Sequence, residues 1–97
     1  MHASVRKYKG SEVERITGEA EKEFVPIVKQ VDGFGGYYMV DAGDGTLITI
    51  TVAESEAAVE ESVQKAADWI KGREDISPLI EGPPEVTNGE VVVSASA

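Results

Sequence analysis

Hydrophobic and polar residues change their period several times along the chain, and each change marks an element. Met1, Ala3 and Val5 alternate with His2, Ser4, Arg6 and Tyr8, the two-residue period of a half-buried strand over Met1 to Lys9. Ser11 and Glu14 then form a capping-box pattern, in which a hydroxyl and a carboxylate satisfy free backbone N–H groups at a helix start. From there Val13, Ile16, Ala20, Phe24, Ile27 and Val31 recur every three or four positions, while Glu12, Glu19, Glu21, Glu23 and Lys29 take the rest of the circumference. Pro26 lies inside this helical pattern, where it removes a hydrogen bond and crowds the preceding turn, so the spacing predicts a kink near Lys22 to Pro26. Gly33 supplies a left-handed stop.

The period then returns to two. Tyr37 to Asp41 and Thr46 to Ala53 are rich in β-branched and aromatic residues, with a hairpin signal at Asp44-Gly45 between them. A two-residue turn there would pair Tyr38 with Thr51 and Val40 with Thr49 on one face, leaving Tyr37, Met39, Ile50 and Val52 on the other. A three-residue loop would flip one strand relative to the other; the first register separates a strongly apolar face from one that mixes Thr, Tyr and Val. Ser55 is an N-cap candidate for a second helix, whose inner stripe is Val59, Val63, Ala66 and Ile70, with Trp69 on its border and Gly72 as its stop. Ser77-Pro78 and Gly82-Pro83-Pro84 read as a rigid extended connection. Val86 to Ala97, with a turn signal at Asn88-Gly89 and the run Val91-Val92-Val93, reads as a last strand.

The order is βαββαβ. Two βα units around an antiparallel hairpin predict an α+β, ferredoxin-like four-stranded antiparallel sheet with both helices on one face, as a single domain over residues 1–97. Thr46 to Ala53 carries no charge on either side and Val91 to Val93 are apolar in succession, so both faces of those strands require cover. The expected cover for the face without helices is a second copy of the chain, a homodimer through the uncharged sheet face. Arg6, Lys7 and Lys9 sit awkwardly with this, because the strand that the topology makes central is the most charged of the four.

Composition narrows the function classes. Eighteen acidic against nine basic residues give a formal charge of -9, which repels phosphate backbones and anionic lipid, so neither nucleic acid nor a membrane surface is an expected partner. The absence of cysteine removes disulfides and thiolate metal sites. With no basic-then-apolar leader and no apolar run long enough to span a bilayer, the expected location is the cytoplasm.

The helix end Val31-Asp32-Gly33-Phe34-Gly35-Gly36-Tyr37, the Gly-Asp-Gly turn at Gly43 to Gly45, the Thr-rich strand and the Glu/Ser-capped second helix together resemble the antibiotic-biosynthesis-monooxygenase-like group of dimeric α+β barrel proteins. The resemblance covers nearly the whole chain, through structural glycines and apolar periodicities. It implies sheets paired back to back and a pocket between sheet and helices in each subunit. It also implies a function range: cofactor-independent oxygenation of phenolic or polyketide-like molecules, haem degradation, or no catalysis. The group's catalytic asparagine and haem-ligating histidine find no matching motif here, since the only asparagine is Asn88, the only histidine is His2, and the second helix has no histidine. No cofactor is therefore expected, and the reading is a cofactor-independent monooxygenase or, alternatively, a non-catalytic small-ligand-binding or dimerisation module.

Candidate pocket residues are chosen by their chemistry. Trp69, on a helix border, could stack on a small aromatic ligand, and Tyr38, Thr49 and Thr51 could supply hydroxyl hydrogen bonds; core packing and strand propensity explain all of them as well. His2 is a lone near-terminal histidine without a ligand partner. Asp41 and Asp44 lack the spacing and the glutamate of a calcium loop, so they read as a plain turn, and no metal site is expected. Gly33-Phe34-Gly35-Gly36 precedes a strand rather than a helix, the reverse of a dinucleotide-binding turn. A chamber roomy enough for a bicyclic ligand, with Trp69 and a tyrosine hydroxyl converging in it, would favour the enzyme; a chamber filled by side chains would favour the module.

Overall fold

The uncharged run Thr46–Ala53 forms an inner strand of the sheet, as its composition predicts. The computed structural model describes residues 1–97 and arranges them as β1 (His2–Gly10), α1 (Val13–Glu19), a π-helical turn (Ala20–Phe24), α2 (Val25–Val28), β2 (Phe34–Gly43), β3 (Thr46–Ala53), α3 (Glu56–Gly72), a short 3-10 turn (Ser77–Leu79) and β4 (Ile80–Glu90). The strands pair antiparallel in the order β2-β3-β1-β4, the ferredoxin-like α+β fold read from the sequence. The core lies between the sheet and the helices: Tyr8 and Leu47 of the sheet meet Ile16 and Ile76, and Val31 and Ala53 meet Ala58 and Val59 of α3.

Several local expectations change in the structure. The hairpin turn is at Asp44-Gly45, both at positive φ of 54° and 75°, the conformation of a tight hairpin turn. Only glycine fits at position 45, where a Cβ would lie 2.5 Å from the Gly10 carbonyl oxygen. The register, however, is shifted by one residue. Ala42 is extra on β2, between the pairs Asp41↔Leu47 and Gly43↔Thr46, and the Asp41 carboxylate accepts from Gly43 N at 3.0 Å to close the bulge. Beyond it Tyr37 pairs with Thr51 and Met39 with Thr49, not Tyr38 and Val40. Tyr37, Met39, Thr49 and Thr51 therefore share the helix side, and Tyr38 and Val40 lie on the opposite face.

The helical arm is re-phased for a similar reason. Pro26 has no N–H to give Lys22, and the chain ahead of it widens into the π turn Ala20–Phe24, with Val25 N–H reaching the Ala20 carbonyl five residues back. The extra residue rotates the remainder of the arm, so Val28 is fully buried while Ile27, expected inward, is 39% exposed. The capping box also fails: Ser11 is tied through its backbone to Leu79 O, and the helix starts after Glu12 in a left-handed conformation with no side-chain cap. The Ser55 cap of α3 forms as predicted, its hydroxyl accepting from Ala58 N at 3.1 Å.

β4 differs most. It runs over Ile80–Glu90, so Gly82-Pro83-Pro84 belongs to the strand, accommodated where its pairing with β1 slips between Lys7 and Lys9. Prolines fit there because β4 is an edge strand with one unpaired side. Asn88 and Gly89 pair with Ser4 and Ala3 rather than turning, and Val91 to Ala97 lies outside the strand with Val92 and Val93 each 85% exposed.

Candidate functional site

The alternation of β1 decides the chemistry between sheet and helices, because its polar side is the one turned inward. Ser4, Arg6 and Tyr8 are all buried there, beside Thr49 and Thr51 of β3, to which Arg6 and Ser4 are the respective ladder partners. Arg6 is 1% exposed. Its Nη2 donates to Thr51 Oγ1 at 3.1 Å, and its Nε and Nη1 have no partner; neither do Ser4 Oγ, Thr49 Oγ1 or His2 Nδ1. The buried polar side chains are Ser4, Arg6, Thr49, Thr51 and Ser62, so no carboxylate accompanies the guanidinium. Tyr37 adjoins this group, and burial pushes its hydroxyl up to about 12 against the opposing pull of the Arg6 charge, which keeps it a neutral donor.

Next to the polar cluster is an apolar chamber of about 30 Å³, walled chiefly by Tyr8, Phe24, Tyr37, Met39, Thr49 and Trp69. By that measure it has room for about two waters. The π turn carries Phe24 into the wall, where its ring meets Tyr37 edge-on at 5.3 Å between centroids and Trp69 at 6.1 Å. Trp69 is held from the solvent side: its Nε1 donates to Glu23 Oε1 at 3.0 Å, and the Arg73 guanidinium sits 5.8 Å over its ring. Arg73 also reaches Glu23 at 2.6 Å, Glu19 at 2.8 Å and Asp75 at 2.8 Å, closing an ion network at the end of α3. The Trp69 N–H and Arg73 hold the Glu23 carboxyl below its ordinary range, and Arg73 holds Asp75 down to about 2.

Of the sequence-derived candidates, Thr49 and Trp69 line the chamber and Thr51 is buried beside it, anchoring Arg6. Tyr38 is 59% exposed on the other face, away from all three, because of the bulge at Ala42. Tyr37 takes the place Tyr38 was expected to hold. Arg6 was not among the candidates; the signal for it was a charged residue in the strand that topology makes central. No three His, Cys, Asp or Glu side chains converge in the manner of a metal site, and no helix is long and apolar enough to cross a membrane.

No protein-family model and no curated protein matches this sequence. Solved structures do match over nearly its whole length. A monooxygenase, the ActVA-Orf6 product of Streptomyces coelicolor bound to nanaomycin D, superposes with a TM-score of 0.77 at 16% identity, covering 99% of this chain and 91% of the other. The chain has the antibiotic-biosynthesis-monooxygenase-like (ABM-like) fold. Similar likenesses are found to a mutant of MhuD holding two manganese protoporphyrin IX per active site (TM-score 0.74, 15% identity, 100% of both chains) and to the NE2512 protein of unknown function from Nitrosomonas europaea (TM-score 0.76, 14% identity, 99% of this chain and 93% of that one). The ABM-like architecture thus houses monooxygenases, a protoporphyrin-binding protein and proteins of unknown function.

Proposed function

We propose that this chain is an ABM-fold homodimer that binds a small aromatic ligand between the sheet and the helices of each subunit. The observation that supports this most is the aromatic wall of Phe24, Tyr37 and Trp69 around an apolar chamber, with Thr49 in the wall and the buried polar cluster of Ser4, Arg6 and Thr51 next to it, the mixture of apolar enclosure and few polar groups that ligand sites present. At about 30 Å³ the chamber is nearly filled by side chains, so a ligand enters by displacing one of them. Trp69 is the movable wall: it is only partly buried, and exposed Glu23 and half-buried Arg73 at the rim are what hold it. Thr49, Thr51 and Tyr37 would then meet the ligand's polar end. Tyr38 is left to the second element of the proposal, the dimer, since it shares the outer sheet face with Val5, Val40 and half-buried Ile48, Ile50 and Val52. On that face only the ladder pairs Lys7–Glu85 and Lys9–Glu81 carry charge, which suits a self-complementary contact with a second copy.

The small chamber favours the non-catalytic module over the oxygenase. The oxygenase reading keeps one specific support, the buried Arg6 charge, which would favour the anion of a phenol-like ligand. In such a reaction dioxygen would convert a ring CH2 activated by that anion into a carbonyl, the second oxygen atom leaving as water. The test joins three measurements. Sedimentation should give a dimer, and bicyclic phenols should quench the fluorescence of Trp69, the single tryptophan, saturably. The buried Ala66, another lining residue, changed to leucine to fill the chamber, should abolish that quenching while the fold is kept. Oxygen uptake with a bound phenol would establish the enzyme; binding without uptake leaves the module. A monomer, or no saturable quenching, overturns the proposal.

A further inference from the structure

Arg6 poses a physical problem that the fold alone does not solve. A guanidinium stays charged at any pH at which the protein folds, and burying a charge without a counter-ion is among the costliest things a core can do. Here it is buried to 1% exposure with a hydrogen bond to the neutral Thr51 hydroxyl and the neutral Tyr37 hydroxyl beside it, while Nε and Nη1 have no partner in good hydrogen-bond geometry. The surroundings offer neutral hydroxyls rather than a counter-charge. Ser4 Oγ and Thr49 Oγ1 are unpartnered on the adjacent ladder positions, and the Tyr37 hydroxyl remains protonated. A chain with a formal charge of -9 has thus put a lone positive charge in its interior and kept every one of its eighteen carboxylates out of it. Tyr37 and Thr49 line the aromatic chamber, and Arg6, the ladder partner of Thr49, is buried directly behind that wall, so a ligand that parts it reaches the guanidinium.

We infer that Arg6, with Thr49 and Ser4, is an oxyanion-binding site, and that the ligand of the chamber proposed above, on which the aromatic part of this assignment rests, is an aromatic carrying a carboxylate or an ionised hydroxyl. The ring stacks among Phe24, Tyr37 and Trp69. The oxyanion accepts from the free guanidinium N–H groups and the Thr49 hydroxyl, which removes the unpaired donors and neutralises the buried charge in one step. An uncharged aromatic of the same shape would leave that charge without a counter-ion. The site therefore selects by charge inside a protein whose net charge repels anions, so affinity comes from the buried contacts and not from long-range attraction.

The test uses 2-naphthoate, 2-naphthol and naphthalene-2-carboxamide as matched bicyclic probes, read through Trp69 fluorescence, and formate as an oxyanion without a ring, read through thermal stabilisation. Wild-type protein should bind 2-naphthoate about tenfold or more tighter than the carboxamide, the scale of charge-assisted hydrogen bonds. Arg6→Met should erase that difference and leave carboxamide binding within about twofold, while Arg6→Lys, which keeps the charge but not the planar fork, should retain part of it. Whichever of 2-naphthoate and 2-naphthol loses more on Arg6→Met identifies the oxyanion. Wild-type protein that binds neither 2-naphthoate nor, at a pH where it ionises, 2-naphthol more tightly than the carboxamide overturns the oxyanion site and leaves the aromatic chamber standing, and this comparison needs no variant to fold. Stabilisation by formate that disappears in Arg6→Met, with no naphthalene probe bound, keeps the oxyanion site and overturns the aromatic reading. No response to any probe overturns both.

Discussion

On the helix side of the sheet, β1 buries Ser4, Arg6 and Tyr8; on the opposite side the same strand carries half-buried Ala3 and exposed Val5, beside exposed Tyr38 and Val40 and half-buried Ile48, Ile50 and Val52. An antiparallel sheet with one covered face usually keeps its polar residues on the open side. Here the covered face holds the buried charge and the orphaned hydroxyls, and the open face holds much of the apolar surface. The difference teaches that each face is unfinished in its own way. The inner one lacks a counter-charge for its guanidinium, and the outer one lacks apolar cover, so the proposed ligand site belongs to the one and the proposed dimer contact to the other.

The sharpest way to break that division is a charge on the outer face. Ile50→Glu places an unpaired carboxylate at the centre of the proposed dimer contact, at a cost on the order of 3–5 kcal/mol; sedimentation should show monomers that keep a native circular-dichroism spectrum. A variant that unfolds instead would mean the outer face is structural within one subunit. On the inner face, Phe24→Ala removes the ring that joins Tyr37 and Trp69 and should cost about 3–5 kcal/mol in urea unfolding. The π turn sharpens the same contrast within one helical arm. Val28→Ala should destabilise by on the order of 2 kcal/mol, and Ile27→Ala, one residue away, by well under about 1 kcal/mol. Equal effects would restore the unshifted helical phase.

Smaller effects belong to the chamber's rim. Glu23→Ala should leave stability little changed, as loss of an exposed ion pair does, yet make Trp69 distinctly more open to a soluble fluorescence quencher. An unchanged quenching constant would show that ring packing alone fixes the indole. Acid provides the mildest probe. Asp75 is held at about 2 in the folded chain by the Arg73 hydrogen bonds, below its ordinary 3.8. A carboxyl lowered by folding binds fewer protons folded than unfolded, so its stabilisation is complete above its ordinary value and fades as pH falls through the folded one. Asp75→Asn should therefore flatten the loss of stability between about pH 4 and 2 in a denaturation series, the change in slope being the readout.

The element types, their order and the hairpin turn were all legible in the sequence, because each rested on a local signal: the Ser55 cap, Asp44-Gly45, and the period of Thr46 to Ala53. What was not legible came from single extra residues. Ala42 in β2 exchanged Tyr38 for Tyr37 at the site, and the π turn before Pro26 exchanged Ile27 for Val28 in the core. Neither shift leaves a mark in periodicity, since the residues on both sides are apolar or aromatic in either phase. β4 was misplaced because Gly82-Pro83-Pro84 has the composition of a linker, and an edge strand tolerates it only through a slipped ladder with β1. Thr49 and Trp69 were readable from side-chain type and position. Arg6 was visible only as an inconsistency, a charge in a strand that had to be central.

The π turn has one more consequence, for how this chain can change over generations. Ala20–Phe24 holds one residue more than a regular helix would need, and that surplus sets which side chains beyond it face the sheet. A single-codon deletion there would rotate everything downstream by about 100° while leaving the helix before it in place. The packing of the arm against the sheet is thus adjustable by length rather than by substitution, and a lineage could reshape the proposed ligand chamber in one genetic step without touching a strand.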